Sequence, residues 1–186
     1  MSTAVKEWIG LVARLLTGGV WIVAGAVKLP DPYESVAAVR AYDLLPEAVV
    51  PTVGQLLPVV EVVIGLALVL GLLTRGASVV SAVLFVAFII GIASVWARGM
   101  TIDCGCFGGG GTDPDAASKY PWEIARDTAL LAASVYLVAL PRTRLAVDNL
   151  FWAPRPGPDT SPDHAEPDHV EPDHAEPSDL THEGER

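Results

Sequence analysis

Between residues 76 and 97 the chain runs for 22 residues without a charge. An α-helix rises about 1.5 Å per residue, so this run covers roughly the 30 Å hydrocarbon core of a bilayer. A soluble protein of 186 residues has too little interior to hide such a segment on every side. The run therefore reads as a membrane span, and three other stretches share its character. Residues 8–27 are apolar apart from Arg14. Residues 48–74 carry one charge, Glu61, together with Pro51 and Pro58. Residues 122–140 place Glu123, Arg126 and Asp127 in the first two turns and then continue for 13 uncharged residues. The expectation is an all-α protein, with residues 1–152 forming a bundle of four transmembrane helices. Small residues at helical spacing, Ala87 with Gly91 and Ser78 with Ala82, would let those helices approach closely. Lys6 and the Ala24-Gly25-Ala26 run give the first stretch the outline of a signal peptide, but Arg14 interrupts its apolar centre, so it is read as a retained span.

The net charge of −10 and pI of 4.7 belong to a separate segment. Residues 153–186 hold ten of the 22 acids and two of the 12 bases, which leaves twelve acids against ten bases, a net of −2, for the rest. In this tail Asp163-His164-Ala165-Glu166-Pro167 recurs twice, once with Val170 in place of alanine. A proline every fifth residue forbids a regular helix, and so few apolar groups cannot offset chain entropy, so residues 153–186 are expected to be a disordered acidic tail. All four histidines lie there. A tract without fixed geometry is a solvated spacer more often than a metal site, and no metal is expected. Acidity confined to a tail also argues against a nucleic-acid partner.

The segment with most chemical content is Asp103-Cys104-Gly105-Cys106-Phe107-Gly108, directly after the chargeless run and followed by three more glycines. Cys104 and Cys106 are the only cysteines. They are too few for a disulfide framework or a complete zinc site, which leaves a redox pair or a loop in which two small residues happen to be cysteine. Gly105 permits backbone angles that would let so short a ring close, and a strained ring would make an oxidising disulfide, suited to exchange with a partner thiol. Disulfides persist outside the cytoplasm, so the loop of residues 98–121 is expected there, with both termini in the cytoplasm. The positive charges flanking the spans, five on the terminal side and four on the other, favour the same orientation by one.

Charges inside spans cost roughly 2.5–3.5 kcal/mol on insertion scales, so Arg14 and Glu61 are expected to face the bundle and to be paired. If a helix starts at Pro58, Glu61 is level with Arg126; if it starts near Val49, Arg14 is the nearer partner. A structural ion pair and a proton-relay or quinone-facing carboxylate are the two roles open to Glu61. Lys28, and Arg126 with Asp127, read as interfacial groups.

The ordered set of Arg14, Gly25, Lys28 with Leu29-Pro30-Asp31-Pro32, Tyr42 with Leu45-Pro46, Leu57-Pro58 with Glu61 and Gly65, and Asp103-Cys104-Gly105-Cys106-Phe107-Gly108 resembles the MauE branch of the DoxX-like membrane proteins. The resemblance covers roughly residues 8–141 and leaves the tail outside. It implies a four-helix integral membrane protein with a redox role carried by Cys104 and Cys106. It also implies a tie to methylamine utilisation, through a thioredoxin-like partner and disulfide maturation outside the cytoplasm, and, through the wider DoxX relationship, to quinone-coupled or membrane oxidoreductase assemblies.

Two functions fit the sequence. In the first, the pair exchanges disulfides with a thioredoxin-like or secreted disulfide-containing protein and passes electrons to a membrane carrier such as quinone; two cysteines cannot make two pairs, so the carrier must meet this pair directly or through another protein. In the second, the chain is a non-enzymatic membrane scaffold for an oxidoreductase, with the tail as a docking strand. Membrane lipid surrounds the bundle in both.

Overall fold

The computed structural model describes residues 3–103, 105 and 113–139. Five helices follow in order: α1 (Thr3–Lys28), α2 (Pro32–Ala41), α3 (Val50–Leu70), α4 (Thr74–Ala97) and α5 (Ala116–Ala139). Among the described residues all regular structure is helical. Helices α1, α3 and α4 are long and apolar enough to cross a bilayer. Helix α5 matches them in length, at 24 residues, but carries its charges within its first half. The repeat-containing tail lies outside the described residues.

Burial runs opposite to that of a water-soluble fold. Leu16, Val63, Val83 and Ile90 are each about 60% exposed, while Arg14 is 1% and Glu61 0% exposed. Apolar side chains outside and charges inside suit a hydrocarbon solvent, and with three spanning helices they define a multi-pass membrane protein.

Helices α1 and α3 form the most intimate pair, and α4 with α5 the next. Glycine sets the first contact. A Cβ placed on Gly18 would stand 2.8 Å from the Gly65 carbonyl oxygen, and one on Gly25 would stand 2.6 Å from that of Pro58. Both are closer than side-chain carbons approach backbone, so only hydrogen fits. A spacing of seven residues returns nearly to the same helix face, so Gly18 and Gly25 form one stripe against α3. The pairs expected from the sequence play lesser parts: Gly91 of α4 meets the ring of Tyr42, and Ser78 is buried in the bundle.

Two features differ from the expectation. The loop of residues 28–47 contains α2, because Asp31 is an N-cap and not part of a plain turn: its Oδ1 accepts from the Glu34 N–H at 3.0 Å, and Pro32 occupies the first turn, where a missing N–H costs nothing. The second is the partner of Glu61, described below. Of the two helix starts the sequence left open, the structure has the one near Val49: α3 begins at Val50 and passes through Pro58, so Glu61 lies in the body of the helix. Between α3 and α4 the chain reverses within three residues, with Gly71 at φ 71° and the Leu72 N–H bonded back to the Ala67 carbonyl, a glycine-terminated helix end.

Candidate functional site

Register decides which charges meet. With Gly18 against Gly65 and Gly25 against Pro58, residue 22 of α1 is level with Glu61, and Arg14 lies two turns away, about 12 Å along the axis. Lys28 is near enough to reach Glu61 with its four-carbon stem. Its Nζ donates to Glu61 Oε1 at 2.7 Å, with 8% and 0% of the two side chains exposed. The same ammonium stands 5.6 Å from the centroid of the Phe88 ring. Glu61 is thus paired within the bundle, as charge cost demands, but with Lys28 in place of Arg14 or Arg126, and Lys28 is a core residue, not an interfacial anchor. Arg126 instead holds its neighbour Asp127, with Nη2 and Nε donating to Oδ1 at 2.9 and 3.0 Å. Asp127 is 2% exposed, buried in the bundle and not reaching outward, and is within electrostatic reach of Lys28.

The lysine–glutamate pair caps a polar seam through the bundle. Trp21 Nε1 donates to Ser81 Oγ at 2.7 Å, Ser81 and Ser134 share a hydrogen bond of 2.9 Å, and the Ser134 hydroxyl donates to the Leu130 carbonyl. The last bond uses the Ser134 proton, so Ser81 is the donor to Ser134, and the chain runs in one direction from α1 through α4 to α5. Trp21 is 1% exposed and packs on Phe85 at 4.5 Å between centroids. Further along α1 and α4 the fully buried hydroxyls of Thr17 and Ser78 have no hydrogen-bond partner among the described residues. Arg14, one turn before Thr17, is buried at the far end.

Cys104 and Cys106 lie outside the described residues, but residues 100–102 and Asp113 on either side are clamped. The buried Tyr120 hydroxyl accepts from the Ile102 N–H at 3.1 Å and faces the Met100 and Ile102 carbonyl oxygens at 3.0 and 2.8 Å. The Asp113 N–H reaches the Thr101 carbonyl at 3.0 Å and closes the base of the loop. Lys119 donates to Asp113 Oδ2, which holds the Asp113 carboxyl below its ordinary range and raises the lysine. Gly105, between the cysteines, is buried, has φ 64°, and donates its N–H to Asp103 Oδ1 at 3.0 Å. That left-handed conformation is open to glycine at little cost and strained for most other residues, so residue 105 has a physical reason to be glycine.

A cavity of about 300 Å³ joins the two features. Lys28, Ser35, Tyr42, Pro58, Phe88 and Gly105 are among its walls, which are mostly apolar. On one side, α2 is fixed by the Arg98 guanidinium, which bonds the Tyr42 carbonyl. The sequence held signs of both clamps, an aspartate before a proline and a tyrosine early in the last helix, but only the fold brings Tyr120 onto residues 100–102. Among the described residues no cluster of His, Cys, Asp and Glu is suited to a metal.

A buried ion pair, a polar seam and a clamped loop between apolar helices make this a multi-pass helical membrane protein with a built site near one end of the bundle. Residues 6–140 match the family described as Methylamine utilisation protein MauE, and the chain belongs to that family. It is 33% identical over 135 residues to the methylamine utilization protein MauE of Methylophilus methylotrophus, covering 72% of this chain and 69% of that one. It is 34% identical over 102 residues to the MauE of Paracoccus denitrificans, covering 54% of this chain and 55% of the relative. No solved structure matches.

Proposed function

We propose that this protein exchanges disulfides between Cys104–Cys106 and a thioredoxin-like or secreted partner outside the cytoplasm, in support of methylamine utilisation or a related maturation of disulfide-containing proteins. The observation that carries the reading is Gly105: a buried glycine at positive φ, with the segment before it held by Tyr120, is compatible with a short turn between two reactive thiols. In this reading α5 is the fourth span, the termini are cytoplasmic, and the loop of residues 98–121 faces outward. A thiolate of the reduced partner attacks one sulfur of the Cys104–Cys106 disulfide and forms a mixed disulfide; the partner's second thiol displaces it, leaving the partner oxidised and the pair reduced. The pair is reoxidised by a quinone, which takes two electrons and two protons. Glu61, paired with Lys28 between α1 and α3, has a structural role in this reading, and Arg14, Glu61 and Arg126 are not assigned to the exchange.

The test is disulfide trapping in native membranes. A Cys106→Ser or Cys104→Ser variant should accumulate a mixed disulfide with an extracytoplasmic protein, visible as a reducible band, while the double variant gives none. Absence of any such species in both single variants, with partner oxidation unchanged, overturns the exchange.

A further inference from the structure

We infer that the cavity beside Lys28 is the binding site of a lipid-soluble quinone, whose ring carbonyl accepts a hydrogen bond from the Lys28 ammonium. The choice of quinone rests on the thiol-exchange reading; the site itself rests on geometry. Lys28 is more than nine-tenths buried, lines the cavity, and has three N–H donors, yet Glu61 Oε1 is its one hydrogen-bond acceptor among the described residues. A buried donor without an acceptor is costly, so an occupant that supplies one is favoured. The nature of the acceptor follows from charge. Glu61 already offsets the lysine, so the pair as a whole is neutral and favours a neutral carbonyl over the carboxylate or phosphate of a lipid.

The rest of the cavity agrees with a ring. The walls are apolar apart from a few groups such as Lys28, Glu34 and Ser35, and the aromatic rings of Tyr42 and Phe88 contribute to them. A volume of about 300 Å³ is at the small end for ligand sites, enough for one ring with its tail led out into lipid and too small for a whole lipid. The walls come from α2 and the segment after it as well as from the spanning helices α3 and α4, and the exposed Ala87 of α4 gives a carrier dissolved in the bilayer a side from which to approach. Gly105 lines the same cavity, which brings the backbone between the two cysteines to its edge. The step balances: two S–H bonds break and one S–S bond forms, while the quinone takes the two electrons and two protons to become a quinol. Lys28 is a positioning residue that orients and polarises one carbonyl.

The experiment uses the full chain in lipid nanodiscs with a photoreactive benzoquinone bearing a ten-carbon tail, and locates the adduct by peptide mass spectrometry. Saturable labelling of α2, α3 or α4 wall peptides is expected, competed by the unmodified quinone and not by oleate. Binding should persist in the Cys104→Ser/Cys106→Ser variant. Ala87→Phe, which adds a ring to a cavity wall at an exposed position, should weaken it by about tenfold or more, with helix content and elution volume unchanged. No saturable labelling, equal competition by oleate, or unaltered binding in a folded Ala87→Phe variant overturns the site. Quinol release by anaerobically reduced wild-type protein is scored separately. Binding without quinol formation leaves the site standing and defeats the thiol reading, whereas partner trapping without quinone binding does the reverse.

Discussion

Replacing Glu61 by glutamine leaves the Lys28 ammonium buried in the bundle with no carboxylate in contact, Asp127 acting on it only from a distance. At 2.7 Å the two charges attract by about 6 kcal/mol at an effective dielectric of about 20. Much of this is offset by stripping water from both ions, so the intact pair adds little net stability. Removing one member keeps the desolvation cost and loses the attraction, which gives an expected loss of about 3–5 kcal/mol for Glu61→Gln or Lys28→Met. The double variant should lose much less than the two single losses combined, since neither charge is then stranded. The assay is reversible unfolding in mixed micelles across the four-protein cycle. Single losses below about 1 kcal/mol, or a double loss equal to the two singles combined, would refute the claim that these residues are coupled in a low-dielectric core.

Three further outcomes follow from the packing and the loop. Gly65→Ala puts a methyl 2.7 Å from the Gly18 carbonyl oxygen and should destabilise the bundle by about 1–3 kcal/mol, whereas Gly19→Ala, with open space around it, should be neutral or slightly stabilising; the same unfolding assay reads both. Tyr120→Phe strands the Ile102 N–H and should cost about 1–3 kcal/mol, with faster amide exchange at residues 100–102. The Asp113 carboxyl, held low chiefly by its hydrogen bond from Lys119, contributes to the loop base above its unfolded pKa of about 4 and loses that contribution only as pH falls through the lower folded value. The protection factor of the Asp113 amide, its exchange rate taken relative to the intrinsic rate at each pH, should therefore be flat from about pH 7 to 5 and fall only below about 4; a fall near neutral pH would contradict the assignment.

The long helices were legible because hydrocarbon-facing segments announce themselves by length and lack of charge. The inward placement of Arg14 and Glu61 was legible for the same reason, since a charge in a span must turn away from lipid. The partner of Glu61 was not, because it depends on how α1 slides against α3. That register is written in Gly18 and Gly25, whose common face on α1 becomes visible once seven-residue spacing is traced, and in Gly65 opposite them on α3. Lys28 misled because a lysine at a helix end usually reaches outward to headgroups; here its stem folds back toward the bundle. Helix α2 was hidden in a Pro-Asp-Pro sequence whose aspartate and second proline are also a good helix start. Tyr120 could not be assigned from sequence, since its role arises only when α5 docks on the segment before Cys104. The cysteine motif was plain in sequence, while the cavity that reaches Gly105 required the fold.

The most direct measurement is thiol accessibility in intact cells with a membrane-impermeant maleimide, before and after reduction, in the wild type and in the Cys104→Ser and Cys106→Ser variants. An oxidised pair on the outer face should be labelled only after reduction in the wild type, while in each single variant the fraction of the remaining thiol not held in a mixed disulfide labels without it. Labelling of the wild type without reduction, or only after lysis, would contradict a resting extracytoplasmic disulfide poised for exchange.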